Sequence, residues 1–292
     1  MPRRITSKTS RTAEFTCMFR AASSLEKNTM FRCEDCIALK MLPCFLQILF
    51  RSGWIRHWIV TRGPNGAFAY VIVRTKYIDE ITKKAIEAGC TQVLILGAGF
   101  DSRAIRLQEF APEVNFYELD APVTQDAKIK QYHNRMITIN PNLNFIPVNF
   151  ETQKAIDQIN ASGFHREQKT CFILEGLTMY LPSEAIADTF DTISKLAIAN
   201  SIMVFDMVYA SILQNNDHQF GEEIKNLVAK NGESFQFGLE PTDLESFLTK
   251  YGWELLELYE PLALEKKYFS DESGQIMAQV NGVHYLVLAQ RN

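Results

Sequence analysis

The stretch Leu96-Gly97-Ala98-Gly99-Phe100-Asp101-Ser102-Arg103 follows directly on a continuous apolar run, Gln92-Val93-Leu94-Ile95-Leu96. Such a run has the composition of a strand buried on both faces of a parallel sheet. Gly97 and Gly99 permit a tight turn and let a ligand approach the backbone closely. A G-x-G after a strand is common to many nucleotide-binding folds. A dinucleotide fingerprint would carry a third small residue where Ser102 stands, and no Gly-Lys-Ser/Thr of a P-loop follows. The turn suits a nucleoside better than a pyrophosphate.

Similar apolar runs recur at residues 114–119, 145–148, 171–174 and 202–205, separated by helix-length amphipathic segments at 121–136, 151–162 and 183–199. Strands alternating with helices predict a parallel sheet covered on both faces. Residues 12–88 read mostly as helix, broken by the turn Gly63-Pro64-Asn65-Gly66. After Asp206 a more polar helical stretch runs to Lys250, and strands at 253–259 and 284–289 close the chain. One domain is expected: a helical lid at 1–88, a ligand-binding core at 89–207, an insertion at 208–250 and final strands at 251–292.

The 292 residues carry 30 Lys+Arg against 34 Asp+Glu, a net charge of −4, so no basic field exists to hold a nucleic-acid backbone. Twenty Phe, ten Tyr and three Trp supply a core and exclude disorder. Six cysteines do not make a disulfide scaffold. Cys33-x-x-Cys36 admits a zinc reading, but no second Cys or His pair follows at finger spacing, so reduced thiols and no metal are expected. The best apolar stretch, 41–50, falls short of the roughly 18 residues of a membrane span and contains Pro43 and Gln47. Residues 1–11 carry four cations without the apolar centre of a secretory signal; a solvated tail is favoured over an organellar address, and a cytoplasmic protein is expected.

Two further clusters fall at strand ends. Phe116-Tyr117-Glu118-Leu119-Asp120 places Asp120 about twenty residues beyond the glycine turn, where a carboxylate can accept hydrogen bonds from ribose hydroxyls. A lone strand-end acid would be read as merely solvated; the pairing with the glycine turn favours the ribose. Leu174-Glu175-Gly176-Leu177-Thr178-Met179-Tyr180-Leu181-Pro182 ends the fourth strand, on the side where open α/β sheets bind ligands. Glu175 faces that crevice, and Tyr180 either offers it a hydroxyl or is a half-buried core aromatic. Upstream, Arg74 could present a planar fork to a carboxylate, although alone it reads as a surface arginine.

Together, Arg74-Thr75-x-x-Ile78-Asp79, the run from Gln92 to Arg103, Glu118-Leu119-Asp120-x-Pro122-x-x-Gln125 and the run from Glu175 to Pro182 resemble the leucine carboxyl methyltransferase family, in its bacterial-type branch. Ser10-x-Thr12-Ala13, Gly252-Trp253 and the closing run from Tyr285 to Arg291 fit the same pattern, so the likeness extends over nearly the whole chain. The resemblance implies a class I methyltransferase fold: a Rossmann-like, seven-stranded, mostly parallel sheet with an N-terminal helical lid and a helical insertion in the C-terminal half. It implies S-adenosyl-L-methionine as cofactor. By the same likeness Arg74 would bind the methionine carboxylate, Gly97 and Gly99 would line the cofactor, and Asp120 would hold its ribose. Glu175 would lie beside the cofactor, and Tyr180 near the transferred methyl. The family's adenine-contacting Asp with its apolar neighbour is here Asn149-Phe150, a departure that weakens recognition without abolishing it, since an amide oxygen still accepts. A charged N-terminal residue closes over the cofactor in the family, with Arg11 the candidate.

Methyl transfer to an oxygen is therefore the expected reaction, with a carboxylate of a small molecule or of a protein C-terminus as acceptor. A carboxylate is already ionised at pH 7, so no general base is required. His57, His133, His165, His218 and His284 stand in no motif. A nicotinamide-dependent dehydrogenase and a non-catalytic cofactor-binding protein are the alternatives; the missing third glycine argues against the first, and retained Arg74, Gly97, Asp120 and Glu175 against the second.

Overall fold

The computed structural model describes residues 9–148, 153–214 and 218–292. Seven strands form one sheet: β1 Gln92–Leu96, β2 Asn115–Asp120, β3 Leu143–Pro147, β4 Thr170–Leu174, β5 Ile202–Val208, β6 Trp253–Tyr259 and β7 His284–Arg291. Their order is β3-β2-β1-β4-β5-β7-β6. Neighbours among β1 to β5 run parallel, and β7 runs antiparallel to both β5 and β6. This is the expected class I methyltransferase sheet. The chain reverses its direction of travel between β1 and β4, and the carboxyl ends of those strands flank the switch-point crevice.

Helices α1 Arg11–Ser24, α2 Cys36–Met41, α3 Cys44–Arg51, α4 Gly53–Thr61 and α5 Ala67–Glu87 precede the sheet. Within it come α6 Arg103–Arg106, α7 Pro122–Asn134, α8 Ala155–Ala161 and α9 Ser183–Leu196; α10 Ser211–Gln214, α11 Gly221–Lys230 and α12 Pro241–Lys250 follow β5. An element absent from the sequence expectation, α13 Pro261–Phe269, joins β6 to β7. Glu260 precedes Pro261 in extended backbone, and Pro at the first helical position lacks only an N–H that would have no helical partner.

Side chains alternate across the central strands and build two cores. Val93, Ile95, Ile173 and Val204 pack under α5 and α13, against Val73, Tyr77, Leu264 and Phe269. Leu94, Leu96, Phe172 and Phe205 pack on the other face, against Ile186 and Phe190 of α9 and Leu244 of α12. Helix α5 is buried along most of its length, and its opening run Ala67–Val73 is apolar all round. That burial carries Arg74 beneath the crevice.

Candidate active site

A cavity of about 290 Å³ opens at the carboxyl ends of β1, β2 and β4, at the small end of the range of ligand pockets. Arg74, Gly97, Gly99, Asp120, Glu175 and Tyr180, drawn from four separate segments, all line it. Asn149 and Phe150 lie outside the described residues; Val148, the residue before them, forms part of the wall.

The glycine turn follows from backbone geometry. Gly97 has φ +67°, where an L side chain is strained, and a Cβ there would sit 2.9 Å from Leu177 Cδ1, which would have to shift. The Gly99 amide donates to Asp120 Oδ2, and the Ala121 amide donates to Oδ1 at 2.6 Å. Asp120 is thus tied to the very turn with which the sequence pairs it. Burial pushes its carboxyl upward, and the two amides oppose that shift.

Below the cavity four guanidinium groups interlock with five carboxylates. Arg74 Nη1 donates to Asp206 Oδ2 at 2.7 Å, and its Nε lies 3.1 Å from Glu175 Oε1. Arg103 Nη1 reaches Glu175 Oε2 at 2.5 Å and also Asp101, while its Nε binds Asp79 at 2.7 Å. Arg106 continues the lattice to Asp79 and Asp35, and Arg20 joins Asp35 at 2.8 Å and donates to the Phe100 carbonyl. Burial alone would neutralise Glu175, but Arg103 and Arg74 hold its carboxyl well below the usual range. Arg74 is therefore no surface residue: Nη1 is hydrogen-bonded to Asp206, Nε faces Glu175 at ion-pair distance without a hydrogen bond, and the side chain lines the cavity.

Another part of the wall joins the Ser10-x-Thr12-Ala13 stretch to Glu233, whose segment carried no motif. Glu233, just after α11, accepts from the Ser10 hydroxyl and the Arg11 amide, each at 3.1 Å. Ser10 itself caps α1 by accepting from the Ala13 amide. Gln236 donates to the Met179 and Tyr180 carbonyls, stitching the insertion over the turn Thr178–Tyr180. Arg11 lines a second cavity of about 520 Å³ on the other side of α1, so the expectation that it closes over the first is not met here. Tyr180 is both cavity-lining and packed, with Phe235 at 5.7 Å between centroids. Burial, then Glu233, pushes its hydroxyl pKa upward, keeping the proton on.

His284, which sequence reasoning left without a context, also lines the cavity. Its Nδ1 lies 2.7 Å from Asn281 Oδ1, an oxygen that also accepts from the Val283 amide. Nδ1 is accordingly the donor, and Nε2 is left as an acceptor. The ring stacks on Tyr70 at 4.5 Å, and burial, aided by Arg74, pushes its pKa down to about 3. Asp206 was the one missed residue with a readable signal, an acid at the end of a strand; nothing local marks Glu233 or His284.

Cys33 is buried with Sγ 3.5 Å from the Arg20 carbonyl, whereas Cys36 is exposed. Among the described residues no cluster of three His, Cys, Asp or Glu could hold a metal, and no helix is long and apolar enough to cross a membrane.

Sheet order and crevice define the class I methyltransferase fold. Residues 58–194 match the leucine carboxyl methyltransferase family, which bears out the resemblance read from the motifs. That match spans Arg74 through Tyr180 but leaves out Ser10-x-Thr12-Ala13 and Gly252-Trp253. The chain is 24% identical over 216 residues to a Bacillus subtilis protein named "Putative S-adenosyl-L-methionine-dependent methyltransferase YktD", covering 74% of this chain and 70% of that one. It is 30% identical over 188 residues to a Mycobacterium avium protein of the same description, covering 64% of this chain but only 59% of the relative. A solved DUF574-family structure from Streptomyces avermitilis superposes with a TM-score of 0.59 at 12% identity, over 99% of this chain and all of that one. The chain is thus similar in sequence to proteins described as S-adenosyl-L-methionine-dependent methyltransferases.

Proposed function

We propose that the protein transfers a methyl group from S-adenosylmethionine to an oxygen of its acceptor, a carboxylate of a small molecule or of a protein C-terminus. The observation that carries this reading is the convergence of the glycine turn, Asp120, Arg74 and Glu175 on one cavity that ends at Tyr180. The residues present suit the cofactor. Gly97 and Gly99 line the cavity, Asp120 offers acceptors to a ribose, and the ionised Glu175 suits a neighbouring ammonium or sulfonium. Arg74 would meet the methionine carboxylate, with Asn149 and Phe150 proposed at the adenine. When bound, the cofactor supplies an electrophilic methyl group.

The chain's own residues then have three tasks. Arg74 and Glu175 hold the donor end in place within a lattice that cannot relax without unpairing buried charge. The lid formed by α1, latched by Glu233, excludes water from the crevice. Tyr180 keeps its proton and can donate to the acceptor oxygen not being methylated, fixing it at near-attack distance.

A hydroxyl acceptor is a second reading with its own support: His284 and Glu233 both line the cavity, and each carries an acceptor atom, which suits an O–H. Methyl transfer is to be assayed with paired panels of carboxylic acids and phenols or alcohols. In parallel, S-adenosylhomocysteine is titrated calorimetrically into wild type and Arg74→Lys. Lys keeps the charge but loses the fork, so affinity should fall by roughly 2–5 kcal/mol. Affinity near wild type would remove Arg74 from the site, and turnover of hydroxyl acceptors alone would replace the carboxylate reading.

A further inference from the structure

Ten large apolar side chains are exposed among the described residues, and five of them fall within fourteen residues: Phe45, Ile48, Leu49, Trp54 and Trp58. Phe45, Ile48 and Leu49 stand at i, i+3 and i+4 of α3, and Trp54 and Trp58 at i and i+4 of α4, so each helix shows one apolar stripe to solvent. Trp54 is 76% exposed and Ile48 68%, values that no core requirement explains. The inward side of α3 is separately used, with Phe50 buried and Leu46 lining the second cavity.

Charge tells what this surface meets. Between Asp35 and Asp79 the sequence contains no acidic residue, although the chain as a whole is net acidic. Lys40, Arg51 and Arg62 are exposed in that interval, and the Arg62 guanidinium lies 4.1 Å over the Trp58 ring. Arg135 of the neighbouring α7 terminus donates to the Leu42 carbonyl, which brings a further cation and the 91%-exposed Met136 beside α3. Tryptophans flanked by cations on short amphipathic helices are the composition of a segment lying in the plane of a bilayer interface. A two-fold self-interface on α3 and α4 would instead bring two sets of these cations together, with no acid from residues 36–78 to offset them.

We propose that α3 and α4 form a docking surface for an anionic lipid bilayer, the tryptophans entering the headgroup region and Lys40, Arg51 and Arg62 facing lipid phosphates. The test uses the full chain with vesicles of phosphatidylcholine alone or mixed with phosphatidylglycerol. Trp253 is fully buried, so a change in tryptophan emission on binding reports Trp54 and Trp58. Flotation with the anionic vesicles, an emission shift to the blue and release by salt are the expected results. Arg51→Gln with Arg62→Gln should weaken binding about 30-fold, and Trp54→Ala with Trp58→Ala should abolish it while the melting temperature is kept. Equal binding to neutral vesicles, or no binding to either, overturns the proposal. So does concentration-dependent dimerisation lost in the tryptophan variant, which would assign the surface to a second copy.

Discussion

At His284 a single side chain carries a testable pH dependence. In the unfolded chain the ring takes up a proton below about pH 6.5, whereas in the fold it stays neutral down to about pH 3. Between those values the unfolded state binds more protons, so this contribution is present above pH 6.5 and is lost as pH falls toward 3. His284→Gln does not titrate and keeps an amide that can donate to Asn281. The stability gap between wild type and variant should therefore narrow by about 2–3 kcal/mol from pH 7 to pH 4.5, measured by urea unfolding at each pH. A constant gap would mean that the ring titrates normally and is open to water.

At the scale of elements, α1 owes its position to a cap and a latch. Ser10 satisfies the Ala13 amide, and Glu233 accepts from Ser10 and Arg11 at the positive end of the helix. The latch joins two segments more than two hundred residues apart across the cavity mouth. Glu233→Ala should destabilise the lid by about 1–2 kcal/mol, the worth of a lost cap at a helix terminus. Hydrogen exchange checks this directly: amides of α1 should exchange faster while those of β1, β4 and β5 are unchanged. Uniform acceleration would place Glu233 in the global core rather than in a lid.

At the scale of the whole molecule, the proposed activity predicts linkage between cofactor and stability. S-adenosylmethionine and its demethylated product should each raise the melting temperature. At about 100 times the dissociation constant the gain is roughly 2.7 kcal/mol. NAD should give none, since the turn at Gly97 lacks the third glycine and the Ser102 hydroxyl standing there donates to Asp35 at 2.6 Å. A shift with NAD alone would return the chain to the dehydrogenases.

What the sequence determined by itself was the sheet and the floor of the cavity. Apolar runs of strand length, the glycines at 97 and 99 and the acids at 120 and 175 are local signals, because period, turn geometry and strand-end position are all set within a few residues. The antiparallel entry of β7 between β5 and β6, the helix α13 and the second cavity were decided only by tertiary structure. So were Arg74's partners, Glu175 from β4's end and Asp206 from β5, and the far wall of Glu233 and His284. These depend on which distant segments pair and pack, and a buried charge or a hydrogen bond between residues hundreds of positions apart leaves no periodicity along the chain. His284 shows the difference most sharply: one imidazole among five in the sequence, it becomes a neutral acceptor at the cavity wall only when β7 is laid beside β5.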